Sequence, residues 1–103
     1  MTKGEILKHN FNKGDLRLYD TNRNETYYED STGYWSKREY DSNGNETYYE
    51  NSDGYWWKRE YDTNGKELYF ESSNGFWRKQ EFDVNGNQTY FENSRGLIRH
   101  TIW

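Results

Sequence analysis

Short runs of aromatic and β-branched residues alternate along this chain with polar clusters that end in glycine. One stretch reads Asn45-Glu46-Thr47-Tyr48-Tyr49-Glu50, then Asn51-Ser52-Asp53-Gly54, then Tyr55-Trp56-Trp57-Lys58-Arg59-Glu60-Tyr61, then Asp62-Thr63-Asn64-Gly65. Runs of about five and about seven residues are strand-sized and too short for helices. The Asx-x-x-Gly clusters have the form of type I turns closed by a residue at positive φ, which glycine adopts at least cost. Each pair of runs is therefore an antiparallel hairpin, with turns closing at Gly33, Gly44, Gly54, Gly65, Gly75, Gly86 and Gly96. Arg23 stands where Gly44, Gly65 and Gly86 stand, so the first turn of that series should be strained or differently shaped. Continuing the count gives about ten strands, near 5–11, 15–20, 25–29, 34–41, 46–50, 55–62, 67–71, 76–83, 88–92 and 97–103.

The pattern is a tandem repeat. Tyr40-Asp41-Ser42-Asn43-Gly44-Asn45-Glu46 returns 21 residues later as Tyr61-Asp62-Thr63-Asn64-Gly65-Lys66-Glu67 and again as Phe82-Asp83-Val84-Asn85-Gly86-Asn87-Gln88, and an earlier copy opens at Tyr19-Asp20. One domain over 1–103 follows, with cap strands at 1–18, about four repeats over 19–96 and an edge strand at 97–103. Such repetition predicts an extended stack with a long ligand-facing surface, not a pocket around a catalytic group. The odd repeat length adds a constraint. Cross-strand partners share a face, so two identical turns per unit would flip alternate units, and each unit should carry a bulge or a longer turn. Tyr48 and Tyr49 point to opposite sides, as do Tyr55 and Trp56, so both faces are aromatic with charges interleaved. Neither face is apolar enough to demand a second sheet. The expected fold is an all-β antiparallel meander of tandem hairpins, single-layered or strongly coiled. Glu46 should pair across strands with Arg38 or Arg59, for a few tenths of a kcal/mol.

Composition sharpens this picture. Only 30% of residues are hydrophobic and the mean hydropathy is -1.54, numbers that alone would suggest disorder. The 20% aromatic content opposes it, because five Trp, eleven Tyr and five Phe can build a thin core without aliphatics. There is no Cys, which excludes disulfides and thiolate chemistry, and no Pro, which suits strands that donate every N–H. No apolar run has the length of a membrane span and Met1-Thr2-Lys3-Gly4-Glu5 has no signal-like core, so a cytoplasmic location is expected. A net charge of -4 disfavours non-specific nucleic-acid binding.

The Tyr-Asp-x-x-Gly-Asn core, with a second glycine ten residues on, resembles the YD repeats of RHS and teneurin-type proteins over about residues 18–103. That resemblance implies β-hairpin strips without a catalytic residue. This chain is too short to enclose a cavity as those shells do. The Glu-Asn/Ser-Ser-x-Gly-Tyr/Phe-Trp half is similar to short proteins of phages and mobile elements, some of which inhibit bacterial defence systems such as CRISPR effectors.

Candidate chemistry is sparse. Asp41-Ser42-Asn43-Gly44-Asn45-Glu46 and Asp62-Thr63-Asn64-Gly65-Lys66-Glu67 look like calcium loops but are too short, with Lys66 at a ligand position, so each Asp should cap its own turn. His9 and His100, the two imidazoles, fall at opposite ends of the sheet. Every acid has copies, whereas catalysis needs one differentiated site; neither an enzyme nor a cofactor is expected. Lys37-Arg38, Lys58-Arg59 and Arg78-Lys79 flank Trp35, Trp56-Trp57 and Trp77, but Glu39, Glu60 and Glu81 follow and oppose single-stranded nucleic acid. The series Glu29, Glu50, Glu71 and Glu92 recurs every two strands, about 10 Å, and could imitate a phosphate backbone or remain a solvated face.

The aromatic ladder Tyr34-Trp35, Tyr55-Trp56-Trp57 and Phe76-Trp77 is the main candidate surface, one side core and the other free for a partner. Trp57 stands out because Ser36, Arg78 and Arg99 are its counterparts, a variability read as freedom from packing. The last strand, with Leu97, Ile98, Ile102 and Trp103, is the most apolar and suggests a homodimer edge. The expected function is a non-enzymatic protein-binding module, in its specific form an inhibitor covering a basic surface of a CRISPR-type defence nuclease. The alternative is a carbohydrate- or surface-binding YD-repeat fragment.

Overall fold

The computed structural model describes residues 2–100, with backbone only for Glu5, Ile6 and Lys13. A short helix α1 (Lys3–Leu7) and a 3-10 turn (Phe11–Lys13) lead into strands β1 (Leu16–Tyr19), β2 (Glu25–Glu29), β3 (Trp35–Tyr40), β4 (Glu46–Asn51), β5 (Trp56–Tyr61), β6 (Glu67–Ser72), β7 (Trp77–Phe82), β8 (Gln88–Asn93) and β9 (Ile98–His100). The nine strands form one antiparallel sheet in chain order, the expected meander. Its extents are 60 × 29 × 16 Å, and the thinnest dimension leaves room for one sheet and its side chains but no second layer.

The turns explain why the strands stop where they do. Asp41 accepts at Oδ1 from the backbone N–H of Asn43 and of Asn45, both at 2.9 Å, and the Gly44 N–H closes the turn on the Asp41 carbonyl at 3.1 Å. Asp20, Asp62 and Asp83 do the same at their turns, and Asn51 and Asn93 replace Asp in the alternate series. Arg23 keeps the turn's shape, with its N–H 3.1 Å from the Asp20 carbonyl, but at a φ of 68°. The strain alternative therefore holds, at about 1 kcal/mol for a side chain in left-handed backbone.

Each unit contains one bulge. Leu18 pairs with Tyr27 and Tyr19 with Glu25, leaving Thr26 unpartnered in the ladder. Thr47, Leu68 and Thr89 occupy the same place in later units. This extra residue restores phase, so Tyr27, Tyr48, Tyr69 and Tyr90 all stay on one face.

Two expectations need correction. Residues 5–11 are not a strand. The Gly4 N–H and the Thr2 hydroxyl instead bond the Glu29 carboxylate, each at 2.7 Å, and the His9 N–H returns to the Gly4 carbonyl at 2.9 Å. These groups are thereby taken from any ladder. The core is also more localised than a stack of equal units implies. Leu16 (8% exposed) and Tyr27 (4%) are the buried hydrophobics among the described residues, both where the N-terminal segment crosses the first unit. Of the last strand, 101–103 lie outside the described residues, and with them Ile102 and Trp103.

Candidate interaction faces

Register sorts the side chains into two faces of different chemistry. On one, which we call the carboxylate face, cross-strand neighbours form diagonal rows reading Glu-Tyr-Lys-Glu-Trp. Glu39, Tyr48, Lys58, Glu71 and Trp77 make one row across β3–β7. Glu60, Tyr69, Lys79 and Glu92 run to Ile98 in the next. Tyr48 donates to Glu50 at 2.8 Å and Tyr90 to Glu92 at 2.6 Å. The Tyr48 bond, assisted by Lys37 at 3.3 Å, holds the Glu50 carboxyl below its ordinary range against the opposing pull of burial. Burial, then Glu50, pushes the Tyr48 phenol up. Lys58 and Lys79 lean 5.3 Å over the rings of Trp56 and Trp77 and form no ion pair with Glu71 or Glu92. An open groove of about 490 Å³ runs between Glu39, Tyr48, Lys58, Glu60 and Tyr69.

The opposite face alternates arginine with rings. Arg17 lies over Tyr28, Arg38 over Tyr49, Arg59 over both Trp57 and Phe70, and Arg78 over Phe70, at 4.3–5.3 Å. Each guanidinium also meets a carboxylate: Arg17–Glu25 at 2.7 Å, Arg38–Glu46 at 3.1 Å, Arg59–Glu67 at 3.4 Å and Arg78–Glu67 at 2.6 Å. Glu46 thus takes Arg38, one of the two expected partners. The Nε of Arg38 is buried without an acceptor, and that of Arg59 has the Glu67 oxygen 3.4 Å away but makes no hydrogen bond; the electron-rich ring beneath each guanidinium compensates. From β1 to β7 each arginine of this face meets a carboxylate, Arg59 and Arg78 sharing Glu67, so that stretch reads as the sheet's packing side; Arg99 in β9 is exposed.

The candidate residues divide between the faces. Trp35, Trp56, Trp77, Glu29, Glu50 and Glu71 lie on the carboxylate face, Tyr55 and Trp57 on the arginine face. Trp57 stacks on Tyr49 at 5.9 Å and lies 4.3 Å under Arg59. In the inner units variation at its position is not freedom from packing, since Ser36 is buried and Arg78 forks onto Glu67 through Nε and Nη2; the counterpart Arg99 in β9 is exposed. Glu29 differs from its copies, being 2% exposed beneath the N-terminal segment. Burial pulls its pKa up, but hydrogen bonds from Thr2, Gly4 and Tyr27 outweigh that and leave the carboxyl below its ordinary range. Burial and then the bond to Glu29 push the Tyr27 phenol up to about 12.

Sequence reasoning missed two sets of residues. Ser52, Ser73 and Ser94, which look like turn residues, clamp Trp35, Trp56 and Trp77: each serine N–H donates to the tryptophan carbonyl at 2.9 Å and each Oγ accepts the tryptophan N–H at 3.1 Å. Tyr40 and Tyr61 reach the carbonyls of Glu25 and Glu46, at 2.9 and 3.1 Å, and where Phe82 lacks the hydroxyl, Gln80 supplies the donor to Glu67. Their signal was their strict 21-residue spacing. Among the described residues there is no group of three or more side chains suited to a metal ion, and no helix is long and apolar enough to cross a membrane. Set against family models and curated proteins, the chain matches none.

Proposed function

We propose that this chain is a non-enzymatic protein-binding module whose carboxylate face covers a basic surface of its partner. The observation that carries this reading is the asymmetry of the faces: Arg17, Arg38, Arg59 and Arg78 on one side are paired with glutamates, while on the other Glu39, Glu60, Glu71 and Glu81 have no ion pair among the described residues. A row of acids beside half-buried rings offers charge steering and apolar contact together. In its specific form the module is a phage or mobile-element inhibitor acting in the host cytoplasm on a CRISPR-type defence nuclease, a form supported by the resemblance of the Ser-x-Gly-Tyr-Trp half to short phage proteins.

Pull-down from the native host with the wild-type chain and with a Glu50→Lys, Glu71→Lys double variant tests it. A specific partner retained by the first and lost by the second is expected; equal retention by both would sink the reading. The exposed Leu97 (42%) and Ile98 (54%) favour a homodimer through the β9 edge, which sedimentation as a monomer at micromolar concentration would refute. The exposure of Tyr55 (40%) beside Tyr49 favours the sugar-binding alternative at that point, and glycan binding lost in Tyr55→Ala would establish it.

A further inference from the structure

One copy of the repeated carboxylate site is already occupied, by the chain itself. Glu29 Oε1 accepts the Gly4 N–H at 2.7 Å and the Tyr27 hydroxyl at 2.9 Å, Oε2 accepts the Thr2 hydroxyl at 2.7 Å, and Lys3 Nζ stands 4.9 Å over the Tyr27 ring. The fit is steric as well as polar. A Cβ on Gly4 would lie 2.6 Å from Phe11 Cζ and 2.7 Å from Glu29 Oε2, so glycine brings its backbone this close without displacing either side-chain end. The seated segment thus reads hydroxyl, cation, glycine.

The same site recurs two units on. Glu71 pairs with Trp77 as Glu29 pairs with Trp35, and Tyr69 takes the place of Tyr27. The neighbour across the preceding strand differs: Leu16 beside Glu29, but Lys58 beside Glu71. Lys58 leans over Trp56 instead of bonding Glu71. Glu71 is half-buried, and among the described residues its carboxylate has no hydrogen bond or ion pair. A half-buried carboxylate without protein donors is open to an incoming one.

We propose that Glu71, with Tyr69 and Trp77, docks a segment of a protein partner containing a hydroxyl residue, a cation and a glycine in that order, seated as Thr2-Lys3-Gly4 is seated on Glu29. The proposal rests on the carboxylate face being the partner surface and adds to it the backbone chemistry of what binds. Residues 2–4 remain on Glu29 because tethering gives them a high effective concentration there. A free copy of the segment therefore meets the open sites.

The test is an NMR titration of the full-length ¹⁵N-labelled chain with a synthetic peptide of residues 2–8, and with the same peptide carrying G4A. The expected result is a shift of the Glu71 amide and Trp77 indole by the first peptide, about fivefold or more weaker binding of the second, the worth of one hydrogen bond, and loss of the response in Glu71→Gln but not in Asp53→Asn, an exposed turn acid outside the face. Equal binding of both peptides would overturn the docking geometry while leaving a charge-attracting face intact. No shift up to the peptide's solubility overturns it too, and the host pull-down then decides the wider reading separately. Self-association of the chain that Glu71→Gln abolishes would make a second copy the occupant and overturn the partner assignment.

Discussion

The first unit and the third set Tyr27, Glu29 and Trp35, and Tyr69, Glu71 and Trp77, at the same register, yet Glu29 is buried under residues 2–4 and Glu71 is not. Tyr27 is enclosed where Tyr69 is half-exposed. The sheet has no interior of its own, so burial exists only where another segment is laid on it. A polar group that looks like surface in one unit becomes the anchor of the fold in another. A shared pattern between units therefore does not mean a shared energy.

Removing the anchor should show this most strongly. Glu29→Ala leaves the Gly4 N–H and Tyr27 hydroxyl without their acceptor and should cost about 2 kcal/mol, whereas Glu71→Gln should stay within about 0.5 kcal/mol; thermal midpoints of the two variants check it. Equal costs would mean that the N-terminal segment is not held by this carboxylate. Acidification should act on the same anchor with a smaller effect. The Glu29 carboxyl titrates lower in the folded chain than its ordinary 4.5, so the unfolded chain binds the proton more readily. Docking of residues 2–4 is then fully supported above that ordinary value and weakens as the pH falls through the lower folded value. A falling protection factor of the Gly4 amide on acidification, its exchange being compared with the unstructured rate at each pH, is the expected readout, absent from Glu29→Gln. The smallest effect concerns the turns. Arg23→Gly should stabilise the first unit by about 1 kcal/mol by relieving left-handed backbone, seen as a higher thermal midpoint. No gain would show that Arg23 makes a compensating contact.

The regular part of this architecture was legible because its causes are local. Asp41 and Gly44 lie within one turn, and the odd repeat length forces a bulge whatever the rest of the chain does. Residues 5–11 were not legible, because what decides them is Glu29, a tertiary contact across 25 residues from Gly4. Ile6, Leu7 and Phe11 suit a strand, but the donors at Thr2 and Gly4 were already taken. Trp57 misled for a different reason. Ser36, Trp57 and Arg78 each solve the same packing position with different chemistry, so variability there records alternative solutions. The candidate site was half legible: its residues were identified, but their division between two faces depends on which strand carries the bulge.

That bulge, at Thr26, Thr47, Leu68 and Thr89, has a consequence for how such a chain can change in length. Without it, inserting or deleting 21 residues would turn everything downstream inside out. With it, a gained or lost copy leaves every later side chain facing the way it did, and lengthens or shortens the molecule by two strands, about 10 Å. The protein is in this sense a ruler with interchangeable divisions, and its reach along a partner can be reset by recombination without turning either face over.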